Sequence, residues 1–173
     1  LAIQIAHGHF AKGQRSQASG WLRRAERLLE AEQDSIEYGY LLRARGLNAK
    51  NPDEALAHAR TAYALATRLG DRDLAALELQ EQGRLLIAQG QVRRGLSMHD
   101  EAGAAALAGR TSTWVSGFAF CSVIWAYLHL GDHHRAGQWT DEFGRWCARC
   151  AAYNHPALCR LHRSRRVAPE ARA

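Results

Sequence analysis

The chain has 173 residues, of which 47% are apolar and 23% are charged, so it is long enough to bury a core and is unlike a disordered sequence. Its formal net charge of +6 is concentrated at one end. Of the 23 basic and 17 acidic residues, the segment from Arg160 onward holds five arginines but only one acid, Glu170. A nucleic-acid binder usually carries a basic stripe over its folded face, so we do not expect nucleic-acid binding through this segment. Residues 166–173 are predicted to be a basic, disordered tail.

The cysteine content suggests a compartment. The four cysteines occur in a sequence with strong helix formers and no secretory signal, which predicts a reducing, cytoplasmic setting. The sequence begins with Leu1, inside an apparent helix, so we expect it to be a piece of a longer polypeptide.

Apolar spacing and turn residues predict helices along the whole chain, with no strand signal. Ser16 and Asn51 are the expected N-caps, and Pro52 occupies a first helical position. Asp34 and Ser35 open the third helix, and Ser112 or Thr113 starts the seventh. The predicted helices cover residues 1–12, 16–32, a third from 34 or 35, 52–69, 71–88, 92–107, 113–130, 133–151, and a ninth from 154 to about 165.

A short phrase recurs four times: a turn residue, four residues, then a small residue, followed seven residues later by an apolar one. The small positions are separated by roughly 40 residues, and such a period is typical of stacked helical hairpins. Each hairpin would bury its apolar face against the next. The small positions and their apolar followers are Ala18 and Ala25, Ala55 and Ala62, Gly95 and Ala102, Ala136 and Phe143.

Two hairpins resemble the tetratricopeptide pattern, in which small residues let paired helices approach closely. The matching positions are Gly83, Leu86, Gly90, Gly95 and Ala102 in the third hairpin, and Ile124, Tyr127, Gly131, Ala136 and Phe143 in the fourth. The resemblance implies an all-α, right-handed solenoid of about four antiparallel hairpins plus a final helix, over residues 1–165.

Three longer phrases resemble the long-repeat helical arrays of large bacterial LuxR-type regulators and cyclase-linked ATPase regulators. They are Trp21–Leu29, His133–Cys147 and Cys159–Arg163. The resemblance implies a sensing or partner-binding scaffold without catalytic residues or cofactors, next to an ATPase or cyclase module and a DNA-binding module. The 173 residues contain neither a P-loop motif nor a recognisable helix-turn-helix. The expected partner is a protein, a peptide or another domain of the same polypeptide.

Polar residues on the first helices of the hairpins are candidates for the partner-binding surface. In a solenoid these helices line the inner groove, where an extended peptide or partner helix docks. The alternative is that the same positions are ordinary solvated helix faces. The candidates are Glu37, Arg43, Glu78, Gln82, Ser122 and Trp125.

The sharpest alternative function is a zinc-stabilised helical protein. Cys147 and Cys150 are three apart on one predicted helix, and Cys159 and His162 are three apart on the next. Two facing helices could therefore supply the four ligands that structural zinc prefers. The same residues could instead be packing residues, or Cys147 and Cys150 a redox pair.

One segment has the length to raise a membrane hypothesis. Residues 113–130 contain no formal charge, but Ser116, Gly117, Ser122 and His129 interrupt the apolar run. A bilayer-spanning helix needs about 20 predominantly apolar residues, so a helix buried within the stack is the expected interpretation.

Overall fold

The structure is a computed structural model that describes residues 1–150, except for the side chains of His7, Phe10 and Ala11. Over that range the chain is all-α and contains no strand. The ninth predicted helix, the predicted tail at 166–173 and the end of the 1–165 domain lie outside the described residues. The helices are α1 (Ala2–Ala11), α2 (Arg15–Leu28), α3 (Ile36–Asn48), α4 (Pro52–Leu69), α5 (Arg72–Ala88), α6 (Val92–Leu107), α7 (Thr113–His129) and α8 (His133–Cys150).

The helix ends follow the capping chemistry of the sequence. The Ser35 and Ser112 hydroxyls accept hydrogen bonds from the Tyr38 and Val115 amides. The Asn51 side chain accepts from the Asp53 amide, ahead of Pro52 in the first turn of α4. The turn glycines of the repeated phrase all have positive φ, between 72° and 80° (Gly13, Gly90 and Gly131).

The prediction for the start and end of α2 is wrong. The N-cap residue is Gln14 rather than Ser16, and it forms no side-chain capping bond. Because Gly13 turns the chain with φ 72°, the helix begins two residues later, and the Gln14 carbonyl already accepts from the Ala18 amide. The helix ends at Leu28, which is largely exposed and so does not extend the buried stripe of Ala18 and Ala25.

The chain divides into two compact units, with the boundary between Glu78 and Leu79 inside α5. In unit 1, α1 packs on α2 and α3 packs on α4, while α3 also contacts α1 and α2. Alanines form much of the buried face of α4, which allows the close approach of α3. The buried residues of this core include Leu41, Leu42, Ala55, Ala59, Ala62, Ala66 and Leu74.

In unit 2, α6 packs on α7 and α7 packs on α8. The α5 and α6 backbones approach closely at two glycines, since a Cβ on Gly95 would lie 2.5 Å from the Gly83 carbonyl oxygen. The centre of the unit is aromatic: the Phe120 ring lies 5.1 Å from Phe143 and 5.5 Å from Trp146, centroid to centroid.

The repeated phrase therefore marks the core of each hairpin. All four small positions and all four apolar followers are buried, from Ala18 and Ala25 to Ala136 and Phe143. The predicted all-α helical-hairpin fold is confirmed. Among the described residues, no helix is long and apolar enough to span a bilayer, and α7 contributes Phe120, Val123 and Ile124 to the core.

Candidate functional site

The clearest polar arrangement in unit 2 surrounds the carboxylate of Asp100. The Tyr127 hydroxyl donates to Asp100 Oδ2 at 2.7 Å, and the Trp139 indole donates to Asp100 Oδ1 at 3.0 Å. Three helices thus meet at one side chain, because Asp100 belongs to α6, Tyr127 to α7 and Trp139 to α8. The two bonds fix the orientation of both aromatic rings.

Local packing explains why Trp139 reaches Asp100. A Cβ on Gly103 would lie 2.6 Å from the Trp139 ring, so the indole lies directly against the α6 backbone where a side chain is missing. Gly103 is one helical turn after Asp100, which places the open backbone and the carboxylate on the same side of α6. A larger residue at position 103 would displace the ring from its acceptor.

Arg135 covers the Tyr127 side of this arrangement. Its guanidinium carbon lies 5.6 Å from the centroid of the Tyr127 ring, and its Nη1 donates to the Tyr127 hydroxyl at 3.4 Å. Its Nε also lies 3.6 Å from Asp132 Oδ2. Burial, followed by the hydrogen bond to Asp100, raises the pKa of the Tyr127 hydroxyl, which therefore stays a neutral donor.

These residues line a surface cleft of about 320 Å³. The volume is at the small end of the range for ligand sites and suits a single side chain or a small molecule. The lining residues are Asp100, Leu107, Tyr127, Arg135, Gln138, Trp139 and Glu142.

A second polar arrangement lies in unit 1. Arg43 Nη1 donates to Glu78 Oε1 at 2.8 Å and lies 3.4 Å from the Leu77 carbonyl oxygen. The Glu78 side chain is 1% exposed and that of Arg43 is 14% exposed. Nearby, burial and the negative charges of Asp71 and Asp73 raise the pKa of Tyr40 to about 12.

The six predicted partner-binding residues are distributed over three helices. Arg43 and Glu78 bind each other, so the Glu78 carboxylate faces Arg43 rather than solvent. Gln82 is also buried, and its amide nitrogen has no hydrogen-bond partner in the described structure. Glu37 is exposed, and Ser122 and Trp125 are half-buried on α7. Partner binding by these residues stays a prediction.

The zinc hypothesis is likewise still a prediction. Cys147 packs against the aromatic core of unit 2, and Cys150 is exposed at the end of α8. The other two proposed ligands, Cys159 and His162, lie outside the described residues. Within residues 1–150, no group of three or more potential metal ligands comes together.

Sequence patterns did not predict the Asp100 arrangement. Tyr127 and Trp139 fill expected packing positions, and nothing local to either residue shows that its polar atom bonds to α6. The available signal was Asp100 itself, an acid one turn before Gly103 in a helix whose neighbouring face is small and buried. An acid at that place needs a donor from a facing helix.

Comparison with known proteins supports the fold. No family model and no curated protein matches the chain. Among solved structures, it is similar to that of a STAND protein (signal transduction ATPase with numerous domains) with a tetratricopeptide repeat sensor from Pyrococcus horikoshii. The TM-score is 0.66 at 15% sequence identity, over 93% of this chain and 25% of that one. The chain therefore spans about a quarter of that protein's length.

At this identity the likeness establishes the fold alone: the chain has a tetratricopeptide-like helical-repeat fold. The predicted tetratricopeptide-like fold is thus confirmed, and the resemblance to LuxR-type regulators stays a prediction. Helical repeats of this kind commonly serve as interaction scaffolds.

Proposed function

We propose that this chain is a non-catalytic scaffold that binds a protein or peptide, or another domain of the same longer polypeptide. The observation that carries the proposal is its likeness, over almost its whole length, to one quarter of a protein with a tetratricopeptide repeat sensor. A segment with that fold presents rigid helix faces, and such faces recognise extended peptides and partner helices.

The regulatory context is the second part of the proposal. The phrases Trp21–Leu29 and His133–Cys147 resemble the helical arrays of bacterial LuxR-type regulators and cyclase-linked ATPase regulators. A scaffold of this kind in the cytoplasm would sense a partner and report it to catalytic or DNA-binding modules on the same polypeptide. The cytoplasmic placement is supported by the four cysteines of the sequence.

Site-specific photo-crosslinking tests the scaffold proposal. A photoreactive amino acid is placed, one position at a time, at Glu37, Ser122 and Gln138 of the full-length protein in its own host cells. We expect a discrete crosslinked partner, or a discrete internal crosslink, from at least one position. Arg60, an exposed residue on α4, is the control position and should give none. Absence of a specific crosslink from all three positions would contradict the proposal.

The regulatory context has a separate test in the coding sequence on both sides of this segment. An ATPase or cyclase module upstream, or a DNA-binding module downstream, would support it. An open reading frame that encodes neither would reject the regulator context and leave the scaffold itself to the crosslinking result.

A further inference from the structure

One face of α2 carries three arginines that have no acidic partner. Arg23, Arg24 and Arg27 are all exposed, and their spacing places them within about a third of the helix circumference. Within residues 1–150, none of the three takes part in an ion pair. The acid of the same helix, Glu26, is bound to Arg45 of α3 at 3.0 Å. The positive charge of this basic face is therefore not neutralised in the described structure.

A gap between side chains lies within the basic face. Gly20 precedes Arg23 and Arg24 by about one turn and Arg27 by about two, so it shares their side of α2. A Cβ at Gly20 would have no atom within 4 Å, so the backbone there is open. Glycine inside a helix is destabilising relative to alanine, and no packing contact at this position requires it. An incoming group can approach the helix backbone between the arginines.

Trp21 restrains one of the three cations. The Arg24 guanidinium carbon lies 5.7 Å from the centroid of the half-buried Trp21 ring, one turn earlier on α2. A cation–π contact takes up no oxygen acceptor, so the N–H groups of Arg24 stay available to a carboxylate. Because the contact already restricts a long side chain, less conformational entropy remains to be lost when Arg24 binds an anion.

We propose that the basic face of α2 binds an acidic segment of a partner polypeptide, whose carboxylates accept hydrogen bonds from Arg23, Arg24 and Arg27. A guanidinium and a carboxylate can form two parallel, charge-assisted hydrogen bonds. The open backbone at Gly20 lets the segment lie close to the helix. The inference rests on the proposed scaffold function and specifies the chemistry of the partner.

The distribution of charge favours a polypeptide over a nucleic acid as the occupant. Residues 151–173 hold five of the 23 basic residues and one of the 17 acidic residues, which leaves 18 and 16 for residues 1–150, a net charge of +2. A nucleic-acid interface needs a basic stripe that follows the phosphate backbone over many contacts. Arg23 and Arg27 are only about 6 Å apart along the helix axis, which matches a short run of carboxylates.

The test is a titration of the ¹⁵N-labelled 173-residue chain with a short blocked peptide in which glutamate recurs at every third or fourth position. The reporter is the Trp21 indole N–H resonance, identified among the five tryptophans by its loss in Trp21→Phe. We expect a saturable shift at low salt and weaker binding at high salt, because salt screens exposed charges. The same peptide with glutamine in place of glutamate should give no saturable shift.

Arginine variants with a matched control locate the binding. Arg24→Gln and Arg27→Gln should each weaken binding by about threefold, the effect of losing one exposed ion pair. The triple variant that also carries Arg23→Gln should abolish it. Arg60→Gln, which removes an exposed arginine of α4, should leave the affinity unchanged. Gly20→Leu should weaken binding while it raises the free energy of unfolding, and a purely structural role for Gly20 would not produce that combination.

The proposal is overturned if the triple variant binds the glutamate peptide as tightly as the native chain, because binding would then lie elsewhere on the chain. It is also overturned if a single-stranded oligonucleotide binds more tightly than the peptide at the same salt concentration, which would make this a nucleic-acid site. Free glutamate that binds as tightly as the peptide, or the absence of a saturable shift at millimolar peptide, would reject it as well.

The scaffold proposal can be separated from this result. If the titration fails while Glu37 or Ser122 still crosslinks to a partner, the acidic-segment site is rejected and the scaffold stands. If crosslinking fails at every position, the scaffold is rejected whatever the peptides do.

Discussion

At the residue scale, the ion pair between Arg43 and Glu78 stabilises unit 1 only while both partners are present. Because the Glu78 side chain is 1% exposed, water cannot solvate its carboxylate in place of Arg43. Arg43, one of the predicted partner-binding residues, is joined in the structure to a carboxylate 35 residues further along the chain. Because this buried pair joins α3 to α5, substituting either residue tests the packing of the two helices.

We expect Arg43→Met to lower the free energy of unfolding by about 3 kcal/mol, because it removes the guanidinium that binds the buried Glu78 carboxylate. The double variant Arg43→Met, Glu78→Met should recover most of that loss. Urea denaturation of the two single variants and the double variant measures the coupling. A double variant whose loss equals the sum of the two single losses would show that the two side chains do not interact.

His99 gives a residue-scale prediction about pH. Its side chain is 4% exposed between α5 and α6, its Nδ1 has no hydrogen-bond partner in the described structure, and burial lowers its pKa to about 4. Asp100 and Glu81 favour the charged form and Arg84 opposes it, but burial is the largest effect. In the unfolded chain the imidazole titrates near its ordinary value of about 6.5.

Above pH 6.5 His99 is therefore neutral in both states and its contribution to stability is complete. Between about pH 6.5 and pH 4 the unfolded chain binds a proton that the folded chain does not. The free energy of unfolding therefore decreases as the pH is lowered, by about 3 kcal/mol in total. Chemical denaturation across this window should show a shallower pH dependence for His99→Phe than for the native chain. His134→Gln, at an exposed position, is the control. Equal slopes for the native chain and His99→Phe would contradict the assignment.

At the scale of the helical elements, the contact between α5 and α6 depends on the absence of side chains. A Cβ on Gly95 would lie 2.5 Å from the Gly83 carbonyl oxygen and 2.6 Å from Ile87 Cγ1, and the first of these is backbone that cannot rotate away. Gly20, in α2, has no atom within 4 Å of the equivalent position. The two glycines thus have opposite structural roles although both lie in helices.

Gly95→Ala should lower the free energy of unfolding by about 1–3 kcal/mol, because the two helices must separate. Gly20→Ala should raise it by about 0.5–1 kcal/mol, because alanine restricts the unfolded chain and favours helix. Thermal and urea unfolding of both variants measures the two effects. A Gly95→Ala variant as stable as the native chain would mean that α5 and α6 are not packed at these glycines.

The elements show what local sequence can and cannot determine. Helix starts such as Asn51-Pro52 and turns such as Gly90 are decided by neighbouring residues, and the sequence predicts their positions. The bond between Asp100 and Trp139 joins residues 39 apart, so it depends on the register between α6 and α8, which no single helix encodes. Leu28 is apolar and lies one turn after the buried Ala25, but it is exposed, because the buried face of α2 is narrow.

At the scale of the whole molecule, the account depends on one repeated design. Each hairpin has a buried small residue near the start of its second helix and a buried apolar residue two turns later, and the same pattern recurs in both units. The chain shares its fold with a quarter of the STAND protein at a sequence identity of 15%. The faces of the helices that are not used in packing are then available for recognition.

Alanine-to-leucine substitutions in matched pairs test this claim most directly. In each pair one alanine is buried at a repeat position and the other is exposed on the same helix: Ala55 and Ala57, Ala102 and Ala104, Ala136 and Ala148. The free energy of unfolding in urea should fall by about 1–3 kcal/mol for each buried member. It should change by no more than about 0.5 kcal/mol for each exposed member. Equal effects within the pairs would contradict the repeat architecture.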